Sequence, residues 1–461
     1  MITLRINNIY SYFNGIDPIY EKELDELFAK YIENYWHSTK FRKHLWDGKI
    51  HFYKLAWHSF PTGLLDRVQT YLKNRGLSFY VNDKRTFQQI DFKNIGLKEI
   101  ELRDYQKEAI EDALTRGSGI LSHAMNAGKT ESACAIIQAI NQKTLWLTNK
   151  KKLLHQTAER IELRTGIEVG KVGDGLKEDG QVVVAIVQNF LKMPDKELKV
   201  YLKQFEVLIV DECHHLGGSM KTFYRVAMRC PARYRYGLSA TPLQDKQVKD
   251  WRLYAALGEI ISVVSNKELI DQEISAKPTI RMFEVDSDVD ETLNYVDAYQ
   301  FGIVNNYLRN GIIIDETKKI KLSTLILVRL KDHGRLLKKL FSKEGTESEF
   351  ISGPETTEFI DDAINRFEAG TLKVLISTNI LNEGVDISAI RHLVIAAGGG
   401  GDSHIEVVQR IGRGLRRKDG ANELTVTDFY DRSNKHLRKH SRNRIADYEK
   451  EEFEVEVERV E

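Results

Sequence analysis

Seven residues constrain this fold more than any others: Ala124-Met125-Asn126-Ala127-Gly128-Lys129-Thr130. They sit between a short apolar run, Ile120-Leu121, and the helix-compatible run from Glu131 to Ile140. That is the strand, loop and helix context of a phosphate-binding loop, because a helix N-terminus aims N–H groups and partial positive charge at what precedes it. Gly128 lets the backbone approach phosphate, Lys129 reaches the β- and γ-phosphates, and the Thr130 hydroxyl is placed to ligate Mg²⁺. The full pattern has a glycine where this chain has His123. Taken alone, the stretch also reads as an ordinary helix start capped by Asn126.

A second feature narrows the choice. Phe205 to Val210 is an apolar run of strand length, followed directly by Asp211-Glu212-Cys213-His214. Open parallel α/β sheets bind ligands outside the carboxyl ends of their strands. Two adjacent carboxylates there suit nucleotide hydrolysis, with Asp211 holding Mg²⁺ through its water shell and Glu212 orienting and deprotonating the attacking water. A zinc site at Cys213, His214 and His215 is disfavoured, since neighbouring side chains leaving a strand diverge and no second Cys/His pair stands at ligand spacing. Three cysteines in 461 residues give no disulfide framework and indicate a reducing compartment.

Here the chain resembles a known family. Asp211-Glu212-Cys213-His214 is a variant of the second motif of superfamily-2 helicases and translocases, and similar segments follow the family's order from about residue 100 to 430. Leu102 to Gln106 resembles the adenine-reading motif, Leu147 to Lys150 and Val183 to Gln188 the nucleic-acid-contact motifs, and Ser239-Ala240-Thr241-Pro242 the coupling motif. Leu325 to Val328, Ser377 to Ile387 and Gln409 to Arg417 resemble the fourth, fifth and sixth motifs. The phosphate loop departs most, with Asn126 where a glycine is usual.

The resemblance implies ATP and Mg²⁺ as cofactors. Gln106, Asn126, Ala127, Gly128, Lys129, Thr130, Gly384 and Asp386 would bind nucleotide, with Thr130 and Asp211 on the metal. Glu212, Gln409, Arg413 and Arg416 would be catalytic, and His214, Ser239 and Thr241 would couple the sites. Lys150, Gln188 and Thr378 would touch nucleic acid. Physical readings stand beside these. A glutamine amide bonds both N6 and N7 of adenine, or is a surface residue at a helix start. Arg413 and Arg416 are three apart, so on a helix they share a face, either as a guanidinium opposite the γ-phosphate or as a basic turn on a nucleic-acid backbone.

Around these motifs, β-runs alternate with helical patterns. The expected fold is α/β: two RecA-like lobes with parallel sheets, residues 96–272 and 273–430, preceded by a small α+β domain at 1–95 and followed by a charged tail at 431–461. Asn294 to Asn310 reads as one helix. Gly398 to Gly401 is either a loose loop or a point of close backbone approach. Net charge is only +1, so nucleic-acid binding must come from local patches. The stretch Phe41 to Lys54 interleaves aromatics with bases, and Asp47-Gly48 is a hairpin signal. DNA contacts are expected at Arg42, Lys43, Lys49 and Lys54, with Trp46 either stacking on a base or anchoring the domain. Trp46-Asp47-Gly48, then Pro61 to Leu64 and a helix, is similar to the N-terminal domain of phage UvsW-like DNA helicases.

The expectation is an ATP-hydrolysing DNA helicase or translocase that unwinds or branch-migrates forked and four-way DNA in replication, recombination or repair. The alternatives are an RNA helicase and an ATP-switched DNA-recognition subunit of a larger complex. No apolar run nears the ~18 residues a membrane span requires, and Met1 to Tyr10 lacks the form of a signal peptide. The expected place is the cytoplasm, that of a bacterial host if the chain is phage-encoded.

Overall fold

Short β-branched and apolar runs become buried strands, and the amphipathic segments between them become covering helices. The computed structural model describes residues 1–86, 90, 95–218, 221–243, 247–287, 289–353, 355–378, 387–398, 410–412, 414–418 and 422–459. Two compact units form, Met1–His123 with Gly128–Val264, and Ala124–Ala127 with Ser265–Glu461.

The first unit begins with an α+β domain. Strands β1 (Ile2–Ile6), β2 (Tyr10–Asn14), β5 (Ser59–Pro61) and β6 (Phe79–Asp83) make a four-stranded sheet in the order β5-β2-β1-β6. The helix Pro18–Phe28 starts where the Asp17 carboxylate accepts from Ile19 N–H at 2.9 Å and Pro18 takes the first turn. β3 (Ala29–Tyr31) and β4 (Lys49–His51) form a separate antiparallel pair. Asp47-Gly48 therefore leads into β4 but does not join two paired strands, because β4 pairs with a strand that lies before the short helix Thr39–Arg42.

This domain packs on the helix Gln247–Leu257 of the same unit. The Trp251 ring lies 5.2 Å from Phe28 and 5.9 Å from Phe52, with Lys30 Nζ over it at 4.2 Å. Arg67 Nη2 donates to Glu259 at 2.8 Å, and its guanidinium stacks 4.0 Å over Tyr254.

The rest of the unit is an eight-stranded sheet ordered β10-β9-β11-β8-β12-β13-β7-β14. Its strands are β7 (Ser118–His123), β8 (Thr144–Thr148), β9 (Val169–Gly173), β10 (Leu176–Lys177), β11 (Val182–Ile186), β12 (Val207–Asp211), β13 (Tyr234–Ser239) and β14 (Ile260–Val264). Pairing is parallel except between β10 and β9. Every residue of β8 and β11 is buried, as expected of a sheet covered on both faces.

The second unit has a seven-stranded, wholly parallel sheet ordered β17-β18-β16-β19-β20-β15-β21. These are β15 (Lys277–Val285), β16 (Thr324–Leu327), β17 (Ser348–Ile351), β18 (Val374–Ser377), β19 (His392–Val394), β20 (Glu423–Asp431) and β21 (Glu454–Arg459). Both sheets are RecA-like lobes in architecture.

Two expectations change in this unit. The stretch read as one helix over 294–310 is the helix Tyr295–Tyr299, a π turn at Gln300–Val304, and a new helix, Tyr307–Ile320, started by the Asn306 side chain accepting from Arg309 N–H at 3.0 Å. The charged tail belongs to the lobe. Arg444 Nε and Tyr448 Oη of the helix Lys435–Lys450 donate to buried Asp428 at 2.8 and 2.7 Å, and β21 joins β15.

Candidate active site and nucleic-acid contacts

After β7 the chain turns through Asn126 and Gly128, whose φ angles of +68° and +75° are left-handed. Glycine adopts that region freely and asparagine with little penalty, which is how Asn126 substitutes for the usual glycine. Gly128, not Asn126, is the N-cap of the helix Lys129–Ile140. Lys129 Nζ donates to the His123 carbonyl at 3.0 Å. Burial holds the Lys129 ammonium below its ordinary pKa, against the upward pull of Glu212 and Asp211. A phosphate group before this helix would strengthen that pull. His123 takes the place of a glycine by going inward. It is buried, its Nε2 lies 2.8 Å from Ser262 Oγ, and burial, helped by Lys129, brings its pKa down to about 4.

Gln106 is not a surface residue. It is buried at the third position of the helix Asp104–Arg116, where its Oε1 accepts from Arg103 N–H at 2.9 Å and its Nε2 donates to the Gly128 carbonyl at 3.3 Å. The proposed adenine reader thus holds the loop proposed for phosphate. The left-handed φ favours glycine at position 128, and a Cβ there would lie 2.3 Å from Gln106 Nε2, so the amide would have to swing away from the loop.

Asp211 ends β12, and Glu212 follows at a left-handed φ of +45°. Burial, then the neighbouring Glu212 charge, push the Asp211 carboxyl up. Burial alone would also raise Glu212, but the hydrogen bond and charge of His214, with Lys129, hold it down and ionised. His214 Nδ1 lies 3.3 Å from Glu212 Oε2 and 3.1 Å from Ser239 Oγ, and Ser239 Oγ accepts from Thr241 N–H at 3.2 Å. The three expected coupling residues therefore form one cluster touching Glu212. The oxygens of Thr130 and Asp211 are hard donors of the kind Mg²⁺ takes, and a dication beside Asp211 would offset the crowding of negative charge that raises it. Bound there, the metal would neutralise phosphate charge.

Sequence reasoning missed a continuation of this cluster. His215 packs against His214 with ring centroids 4.3 Å apart, its Nε2 lies 2.9 Å from Asn149 Nδ2, and Gln188 Nε2 donates to the Asn149 carbonyl at 3.2 Å. Only the doubled histidine signalled it. Lys150 caps the helix Lys151–Thr165 next to Asn149.

Thr378 directly follows β18 and is buried, with its N–H donating to Ile351 O at 3.3 Å. Arg416 is exposed and sits in an extended bridge with Ser275, past the helical turn, so the shared-face argument for Arg413 and Arg416 does not hold. Gly384, Asp386, Gln409 and Arg413 lie outside the described residues, as do Gly399 to Gly401 of the glycine run.

In the N-terminal domain, Arg42, Lys43 and Lys54 are exposed and Lys49 is half-buried. Trp46 is half-buried, and its Nε1 donates to Lys49 O at 2.9 Å, which makes it an anchor of the loop before β4. Exposed aromatics lie elsewhere in the domain, Trp57 and Tyr80 among them. Trp36 is 53% and Tyr31 45% exposed, Tyr31 stacks on Tyr35 at 4.6 Å, and Lys49 Nζ sits 4.8 Å over the Tyr31 ring.

Among the described residues no helix is long and apolar enough to cross a membrane. Two family models match, the res subunit of type III restriction enzymes over residues 99–244 and the helicase conserved C-terminal domain over 305–418. The DNA 3'-5' translocase XPB2 of Sulfurisphaera tokodaii is 27% identical over 69% of this chain and 80% of its own length. The Saccharomyces cerevisiae Dbp5 structure bound to RNA and ADP BeF3 aligns with a TM-score of 0.54 at 16% identity, over 78% of this chain and 94% of its own. The T4 UvsW structure aligns over 100% of this chain and 99% of its own at 20% identity, with a TM-score of 0.49. Several curated relatives are longer, and the chain spans 51%, 52% and 58% of their lengths. With the two matched regions following one another in the order of its motifs, the chain is a superfamily-2 helicase.

Proposed function

We propose that the chain is an ATP-hydrolysing DNA motor that unwinds or branch-migrates forked and four-way DNA, as a part of replication, recombination or repair. The observation that carries the motor reading is the single cluster of Lys129, Asp211, Glu212, His214 and Ser239, which ties a hydrolytic carboxylate to the coupling motif. In it Glu212 orients and deprotonates water, Thr130 and Asp211 hold Mg²⁺, and Gln106 reads adenine. Arg413 and Arg416 stabilise transition-state charge with Gln409, and Gly384 and Asp386 line the nucleotide. Lys150, Gln188 and Thr378 contact the strand. The DNA reading draws on the relative named a DNA 3'-5' translocase and on the N-terminal domain, residues 1–95.

The test is the ATPase rate of the isolated chain with single-stranded, duplex, forked and four-way DNA and with RNA. Forked and four-way DNA should raise turnover above linear duplex, and RNA should not. Equal stimulation by RNA would make this an RNA motor. Stimulated hydrolysis without strand displacement would make it a switching subunit.

Branch recognition is assigned to Trp36, Tyr31 and Lys49, which cluster around Tyr35, together with the exposed Arg42, Lys43 and Lys54. Trp36→Ala should weaken binding to forked DNA by about 1–3 kcal/mol, the worth of one stacked base, with the salt dependence unchanged. Lys43→Ala should instead flatten the salt dependence by about one unit of slope, the signature of one lost phosphate contact. Trp46→Ala should lower the melting temperature, since its indole N–H fastens the loop. Binding isotherms at several salt concentrations separate the three. Parent-like fork binding by Trp36→Ala would remove stacking from this face.

A further inference from the structure

The polar contacts at the carboxyl edge of the first lobe follow the order of its strands. β11, β8, β12 and β13 are consecutive neighbours in the sheet. Gln188 lies just past β11, Asn149 just past β8, His214 and His215 just past β12, and Ser239 ends β13. Three of the contacts join one strand end to the next, and two lie within the end of β12. Gln188 donates to Asn149 O at 3.2 Å, Asn149 Nδ2 meets His215 Nε2 at 2.9 Å, the His215 and His214 rings touch, and His214 Nδ1 is within 3.1 Å of Ser239 and 3.3 Å of Glu212.

We propose that His215 is a positioning residue that transmits nucleic-acid engagement at Lys150 and Gln188, through Asn149, to the hydrolytic Glu212 by way of His214. The inference rests on the motor reading above. Asn149 donates to the ring, which fixes the Nδ1–H tautomer of His215 and the plane of its imidazole. On its other side His215 stacks on Phe223, with centroids 5.8 Å apart and planes 19° from parallel, so the ring has little freedom to tilt independently. A shift of the Asn149-Lys150 corner therefore moves His215, and His215 is packed against the imidazole that orients Glu212. The competing account is that these bonds only satisfy polar groups at a crowded sheet edge. Adjacency alone does not separate the two, whereas a measured coupling does.

The experiment compares the parent with Asn149→Ala, His215→Phe and the double variant. Phenylalanine keeps the stack on Phe223 and removes both ring nitrogens, so this variant retains packing where a smaller residue would not. The readouts are the ratio of turnover with saturating forked DNA to turnover without it, DNA affinity, and melting temperature. Each single variant should lower the ratio about fivefold or more, in the range of coupling between linked sites, with DNA affinity and melting temperature close to the parent. The double variant should fall no further than either single one, because both break the same link. A parent-like ratio in His215→Phe overturns the proposal. So does a ratio that falls only in step with DNA affinity, which makes Asn149 a contact, or only in step with melting temperature, which makes the bonds structural. A parent protein that no nucleic acid stimulates overturns the motor reading, and this inference with it.

Discussion

Glu212→Gln is expected to leave ATP affinity close to that of the parent and to reduce turnover by about 10²–10⁴, the usual worth of a general base. The amide keeps the shape of the side chain and can still meet His214, which lies 3.3 Å from Glu212 Oε2, but it cannot take a proton. Lys129→Ala should fail in the opposite way, losing nucleotide affinity itself, because its ammonium is the cation that follows the loop into the helix. Equilibrium binding of a fluorescent nucleotide and phosphate release in single turnover distinguish these outcomes. Parent-rate hydrolysis by Glu212→Gln would assign the base to another residue.

Gly63→Ala is expected to destabilise the first unit by about 1–3 kcal/mol, the range found for overpacked interfaces. A Cβ at position 63 would lie 2.1 Å from the Tyr254 carbonyl oxygen and 2.7 Å from that of Ala255. Both are main-chain atoms of a helix, so neither can swing aside as a flexible side chain would. The N-terminal domain must lift from the helix Gln247–Leu257, loosening the packing of Phe28 and Phe52 on Trp251. The matched control is Gly311→Ala. A Cβ there meets nothing within 4 Å inside the helix Tyr307–Ile320, so this variant should be neutral or stabilising by up to ~1 kcal/mol. Thermal melts of the two variants make the comparison, and equal melting temperatures would show that the docking surface yields. For the same reason, deletion of residues 1–95 should yield a poorly soluble protein, since Trp251, Tyr254 and Ala255 would lose their cover.

What was legible in the sequence was chemistry carried by adjacent residues. The run from Phe205 to Glu212 states a strand and its carboxylates within eight positions, and the phosphate loop states its turn and helix just as locally. Contacts between distant segments were not legible. The hairpin signal at Asp47-Gly48 is genuine turn chemistry, but β4 finds its partner at Ala29–Tyr31, on the far side of two short helical turns. By residue type Trp46 suited either a stacking platform or an anchor, and the bond to Lys49 O that decides for the anchor is visible only in three dimensions. The spacing of Arg413 and Arg416 carries facial information only on a helix, and Arg416 is extended. Charge along 431–461 set these residues apart as a tail, because a buried ion pair such as Arg444 with Asp428 has no mark in composition.

The position of β21 bears on self-association. An unpaired strand flank offers a row of N–H and C=O groups to any second chain, and β15, with Ile280, Met282 and Phe283 along it, would be an adhesive flank if left open. β21 occupies that flank in register and presents the sequence Glu454-Val-Glu-Val-Glu-Arg459 as the new margin. Three carboxylates now line the outermost strand, two of them paired inward with Lys277 and Arg281. A second sheet approaching edge-on meets a short strand in which charged side chains alternate with Val455 and Val457, the kind of margin that disfavours edge-to-edge pairing.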